Sequence, residues 1–268
     1  MPVRALVEAG ACFGLAGNSL RVALARLLAQ GGVERDERGR YRPGAAVASA
    51  TRAIRGWRRL ESRTRTWSGA WVAVQNPGSR SRRQRVQDEQ VLRLFGFQAW
   101  DSSLSLRPDN VLGGLEGLRR SLFSAGLASH SLVACMRDLG EDQEARAHAL
   151  WDVDRLEVEY RETTLALSQS RRRLRGASTE AAMVETFRVG GQAIRQLVLD
   201  PLLPQEMVDS RERSTLVKAM MEYDKFGRAF WAPFMQRHGV VRRGASATLP
   251  FETAAGIYPD VSQEAGAL

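Results

Sequence analysis

Cysteine occurs only twice in this 268-residue chain, at Cys12 and Cys135. Far apart and without a CxxC pair, they exclude a disulfide scaffold and a thiolate zinc centre, and are expected as buried free thiols. Histidine is equally scarce: His130, His148 and His238 form no metal-ligand spacing. No apolar run approaches the ~18 residues that span a bilayer, and no signal peptide precedes the first patterned helix. A cytoplasmic location without membrane contact is expected. There is no GxSxG, no phosphate-binding glycine loop and no His/Cys constellation to activate a nucleophile, so no enzyme and no cofactor are expected. Lysine is nearly missing, with Lys218 and Lys225 alone, and carries no mechanism.

What the chain does have is arginine, unevenly placed. The formal net charge is +9, and the first 65 residues hold 13 Arg against five acidic residues; the rest is close to neutral with 26 basic and 25 acidic. A basic field confined to one end suits a phosphate backbone. Hydrophobic residues make up 44%, enough for real cores, and the length suggests two or three domains.

The basic end is also the most patterned. ALVEAGACFG reads as a short helix and GLAG as a glycine turn. In NSLRVALARLLAQ the residues Leu20, Ala23, Leu24, Leu27 and Leu28 recur at the spacing of a buried helix face. Gly31 and Gly32 stop that helix, and VER and RYR flank the turn DERG as a hairpin. Helix, turn, helix, hairpin is the order of a winged helix-turn-helix, placed at residues 1–44.

Residues 45–66 read as an alanine- and arginine-rich linker helix, with Val47, Ile54, Trp57 and Leu60 as one stripe and Arg52, Arg55, Arg58, Arg59, Arg63 and Arg65 solvated. From Trp67 the signal turns to strands: WVAVQ, a helix over RSRRQRVQDEQVLRLFG, FQAW, SLSLR, a helix over VLGGLEGLRRSLFSAG, and SLVACM. The order βαββαβ predicts a ferredoxin-like domain over 67–139. Residues 140–238 read as a helical domain, beginning with one long amphipathic segment, and 239–268 as a flexible tail. The fold class expected is α+β.

The stretch RVALARLLAQGGVERDERGRYR, the strand GAWVAV after a tryptophan, the helix leading into RLFGF, and VLDPLLPQEM late in the chain resemble the PaaX-type family of transcriptional repressors of phenylacetate degradation. The resemblance spans nearly the whole chain. It implies a bacterial homodimeric repressor that binds an inverted-repeat operator in double-stranded DNA and is released by phenylacetyl-CoA or a related aryl-CoA thioester. Members usually carry a further helix and strand before the helix matching Pro2–Phe13. Without that helix an apolar face stays bare, so either the true start lies upstream or another segment covers it.

On this reading Asn18 or Ser19 caps the recognition helix and turns its first N–H groups toward a phosphate. Ser19, Arg21 and Val22 lie near base edges, and Arg26, Arg38, Arg40 and Arg42 meet phosphates. Pairing with Glu34, Asp36 and Glu37 is the competing expectation for the wing arginines. An acyl-CoA needs cations beside an apolar slot, for which 140–238 offers Trp151, Arg155, Tyr160, Arg188, Arg195, Tyr223, Phe226, Phe230 and Trp231. Aromatic residues at helical spacing are ordinarily core, and RRRLR at 171–175 a solvated helix end, so no ligand residue is assigned. Two alternatives compete: a winged-helix protein without an effector or answering to a different acyl-CoA, and a ferredoxin-like nuclease. The nuclease lacks a carboxylate after its first strand, the next being Asp88 on a helix.

Overall fold

A computed structural model describes residues 1–76, 78 and 81–240. The part of the expected tail from 241 onward lies outside the described residues. In chain order the elements are α1 (Val3–Cys12), α2 (Gly17–Ala29), β1 (Val33–Arg35), β2 (Tyr41–Pro43), α3 (Ala48–Gly56), β3 (Trp71–Gln75), α4 (Arg82–Leu94), β4 (Gln98–Ala99) and β5 (Leu104–Pro108). They continue with α5 (Gly114–Ser124), β6 (Leu132–Met136), α6 (Glu141–His148), α7 (Val153–Arg173), α8 (Thr179–Val198) and α9 (Ser210–Arg237). The chain is α+β: mainly helical, with two small antiparallel sheets.

Two compact units form, and neither is continuous in sequence. The first combines Met1–Arg58, Thr163–Gln196 and the stretch from Val217; the second combines Arg59–Glu162 with Leu197–Leu216. Their boundaries fall between Arg58 and Arg59 and inside α7, α8 and α9.

In the first unit, α1 buries Ala5 and Ala9 against Trp231, Phe234 and Met235 of α9 and Met183 of α8. This apolar face of α1 is covered from almost the other end of the described residues. Phe13 extends the contact, meeting Phe187 edge to face at 5.0 Å. Met1 and Pro2 run beside the hairpin: Tyr41 N–H donates to Met1 O at 2.7 Å, and Pro2 bridges to Arg40.

Three sequence expectations fail here. The linker is not one helix: a 3-10 turn at Ala45–Val47, α3, and 3-10 turns at Trp57–Arg59 and Glu61–Arg63 replace it, and α3 ends at Gly56, a poor helix former. Arg58 is not solvated, since it donates to Asp224 of α9 at 2.6 Å and lies 4.6 Å from the Trp57 ring. On α2, Leu24 alone is buried, while Leu27 and Leu28 are 37% and 41% exposed and Ala23 is also exposed. Alpha-helical periodicity marks an apolar face without saying how much of it the rest of the chain will cover.

The second unit is built on a four-stranded sheet of order β4-β5-β3-β6 with every neighbour antiparallel. Central β3 alternates its side chains between two cores. Val72 and Val74 pack with Val91 and Leu92 of α4 and Leu118 and Leu122 of α5. Trp71 and Ala73 pack with Ala147 and Trp151 around α6 and with Leu203 and Val208 from beyond α8. Both faces are covered, which is why WVAV is an unbroken apolar run. Strand β6 is an edge, and Cys135 on it is exposed, with Cys12 only half-buried. The expectation of two buried thiols was wrong.

The expected long segment after Gly140 is also interrupted: α6 stops at His148, and Asp152 accepts from Arg155 N–H at 3.0 Å at the start of α7. The stretch Asp200–Pro204 lies buried in the second unit. Asp200 accepts from Tyr160 O–H at 2.7 Å and Leu202 N–H at 2.8 Å, with Arg213 at 3.6 Å. Asn110 donates to Leu202 O at 2.6 Å. Leu202 holds φ of 54°, a left-handed conformation unusual for leucine and maintained by those bonds. Opposite, Gly96 at φ 75° leaves space that a Cβ would take 2.8 Å from Pro201. Burial raises both the Tyr160 phenol and the Asp200 carboxyl; the Asp200 charge raises the phenol further, whereas Arg213 and the hydrogen bond from Tyr160 act to lower the carboxyl.

Candidate nucleic-acid interface

The interface begins with how α1 and α2 meet. A Cβ at Gly10 would stand 2.7 Å from Leu20 Cδ1, so glycine there permits the close approach. The turn between them places Ala16, extended and without any side-chain cap, ahead of α2; its carbonyl accepts from Leu20 N–H at 3.1 Å. The expected cap by Asn18 or Ser19 is thus absent, because the helix starts at Gly17 and both residues already lie within its first turn. Their side chains, together with those of Arg21, Val22 and Arg26, are exposed. At ~100° per residue the five occupy about 160° of the helix circumference, one continuous face. Val22 is 54% exposed, an apolar side chain amid polar ones.

The hairpin β1–β2 pairs Val33 with Pro43, Glu34 with Arg42 and Arg35 with Tyr41. Its turn is fastened by Asp36, whose Oδ1 accepts from Arg38 N–H at 3.1 Å and Arg40 N–H at 2.8 Å. Those backbone donors hold the Asp36 carboxyl below the usual carboxylate range. The three wing arginines then differ. Arg38 is exposed at the tip. Arg42, 71% exposed in its side chain, pairs with Glu34 at 2.9 Å. Arg40 is half-buried and donates from Nη2 to Gly239 O at 3.0 Å, so its guanidinium is engaged within the protein. The sequence missed one cation: Arg4, exposed on α1. Its signal was an outward arginine on the first of the two helices.

The other candidate centres dissolve into structure. Asp88 is fully buried and accepts from Gln84 Nε2 at 2.8 Å and Ala128 N–H at 3.0 Å, tying the loop before β6 to α4. No group of three or more His, Cys, Asp or Glu among the described residues could hold a metal ion. No helix among them is long and apolar enough to cross a membrane. Of the aromatic residues considered for an effector, Trp151 belongs to the second core of the sheet, Tyr160 binds Asp200, Tyr223 shares a 2.7 Å hydrogen bond with Ser170, and Trp231 covers α1. Phe226 and Phe230 meet edge to face at 5.0 Å. Arg155 pairs with Glu159 at 2.8 Å. Arg188 is exposed and Arg195 half-buried. In the 171–175 cluster, Arg171 pairs with Glu222 and Arg173 with Glu185.

No family model matches the chain, and no curated protein matches it at a significant level. Among solved structures, the uncharacterized protein Rv0674 from Mycobacterium tuberculosis is similar, with a TM-score of 0.49 and 22% identity over 85% of this chain and 91% of that one.

Proposed function

We propose that the chain is a DNA-binding transcriptional regulator whose α2 enters the major groove. The carrying observation is the exposed face of Asn18, Ser19, Arg21, Val22 and Arg26 on α2, beside an arginine-tipped hairpin. Helix, turn, helix and hairpin support a winged-helix reading of the head, and strand order β4-β5-β3-β6 within βαββαβ supports a ferredoxin-like reading of the sheet. The fold alone assigns no chemistry. Arg21 is placed for base reading, where a bidentate contact to guanine contributes about 1–3 kcal/mol of discrimination. Arg4, Arg26 and Arg38 are placed for phosphates, which give affinity and salt dependence. The resemblance to PaaX-type repressors supports a homodimer on an inverted repeat and makes an aryl-CoA thioester the first inducer to try.

The test is fluorescence anisotropy on the promoter DNA of the protein's own gene at fixed salt, with and without phenylacetyl-CoA. Specific binding relieved by the thioester is expected. Arg21→Ala should relax preference at one position per half-site, whereas Arg38→Ala should weaken every sequence alike and lower the salt slope by about one. Equal effects of both on all DNA would refute the division of roles, and absence of specific binding would refute the function.

A further inference from the structure

A cavity of about 430 Å³ opens in the first unit where α1 meets the start of α8 and the end of α9. Its size lies within the ~300–1,000 Å³ of small-molecule sites. Met183, Phe230 and Phe234 give it apolar walls, and Glu8, Glu180 and Arg237 its charges. Two carboxylates face one guanidinium there, and that guanidinium is already engaged, lying 3.3 Å from Glu8 Oε1. The Cys12 thiol on the wall is raised by burial first and then by Glu180. Nor is the start of α8 open to an anion, since Ser178 Oγ accepts from Ala181 N–H at 3.2 Å and Glu180 stands in the first turn. A polyanionic nucleotide thioester is poorly served by such a lining, and an ammonium group on an apolar body is well served.

We propose that this cavity binds a small amphipathic amine, its aromatic or alicyclic body between Phe230, Phe234 and Met183 and its ammonium group beside Glu180 and Glu8. Binding has a route to the exposed face of α2. Glu8 is the joint that holds α1 to the end of α9, pairing with Arg237 and with His238 Nε2 at 3.0 Å. An ammonium group competes with Arg237 for the same carboxylate. A shift of α1 against α9 that follows is passed to α2 through the tight contact at Gly10. This regulatory step rests on the proposed DNA-binding function; the ligand site does not.

The experiment is isothermal titration of the full chain with three probes of one apolar body and different ends: 4-phenylbutylamine, 4-phenylbutyrate and 4-phenylbutanol. The amine should bind at least about tenfold more tightly than the other two, as a charge-assisted contact requires. Glu180→Gln should remove that preference, and Thr179→Trp, at an exposed position on the cavity wall, should abolish binding, both with an unchanged melting temperature. Preference for the carboxylate, equal binding of all three, or binding untouched by both variants overturns the amine site, as does no binding at all. DNA affinity is measured separately, first without the amine and then with it. Protein that binds amine but no DNA keeps the site and loses the regulator reading; DNA binding indifferent to a bound amine removes the coupling alone.

Discussion

Strand β3 and helix α2 are both rich in apolar side chains, yet β3 buries four consecutive residues, Trp71 to Val74, and α2 buries only Leu24. The strand has a helical layer on one face and α6 with the 203–208 segment on the other. The helix rests on α1 and the hairpin and leaves most of its circumference to solvent. Apolar content therefore separates into two uses: in β3 it is cohesion, and in α2 it is surface. The comparison can be broken at several points.

Trp71→Ala carries the largest expected effect. The side chain is fully buried, contacts Trp67 and Trp151, and donates to Glu144 at 2.8 Å. A loss of about 3–5 kcal/mol in denaturant unfolding is expected; a loss below about 1 kcal/mol would show that the second core of the sheet is dispensable. Next, Asp200→Ala should cost about 3 kcal/mol, because it strands a buried arginine and frees the Leu202 turn. Tyr160→Phe, which removes one hydrogen bond to the same carboxylate, should cost about 1 kcal/mol. Equal costs for both would mean that Asp200 serves Tyr160 alone.

Acid titration sharpens the comparison within the helices. The Glu185 carboxyl lies below its usual value of 4.5, held there mainly by Arg173. Its contribution is complete above that value and disappears as pH falls through the depressed one. Glu185→Gln should flatten this part of the acid limb, by no more than about 0.5 kcal/mol because the pair is largely open to solvent. The smallest effect belongs to α2. Leu28→Gln should shift stability by less than about 0.5 kcal/mol, and a cost near 2 kcal/mol would mean that this face is covered in solution.

What was legible in the sequence was local. The run WVAVQ and the glycine-stopped α2 follow from neighbours in the chain. What was not legible depends on distant partners. Asp200 and Tyr160 are 40 residues apart, Arg58 and Asp224 are 166, and no periodicity announces such a pairing. The cavity was unreadable for the same reason, since its lining comes from residues 8–12, 179–183 and 230–237. At the candidate interface the spacing marked Asn18, Ser19, Arg21, Val22 and Arg26 as outward, and they are exposed, but so are Ala23, Leu27 and Leu28 of the face expected to be buried. The missing cap and the engaged Arg40 were not marked, because Ala16 and Gly239 supply main-chain atoms and those leave no mark in side-chain pattern.

The cover that α9 places on α1 also sets an order of events in the cell. Ala5 and Ala9 leave the ribosome early, while Trp231 and Phe234, which bury them, follow more than 200 residues later. At ~5–20 residues per second the interval is about 10–40 s. Helix α1 is thus made well before the residues that cover it, and through that interval its apolar face is open to chaperones or to a neighbouring nascent chain.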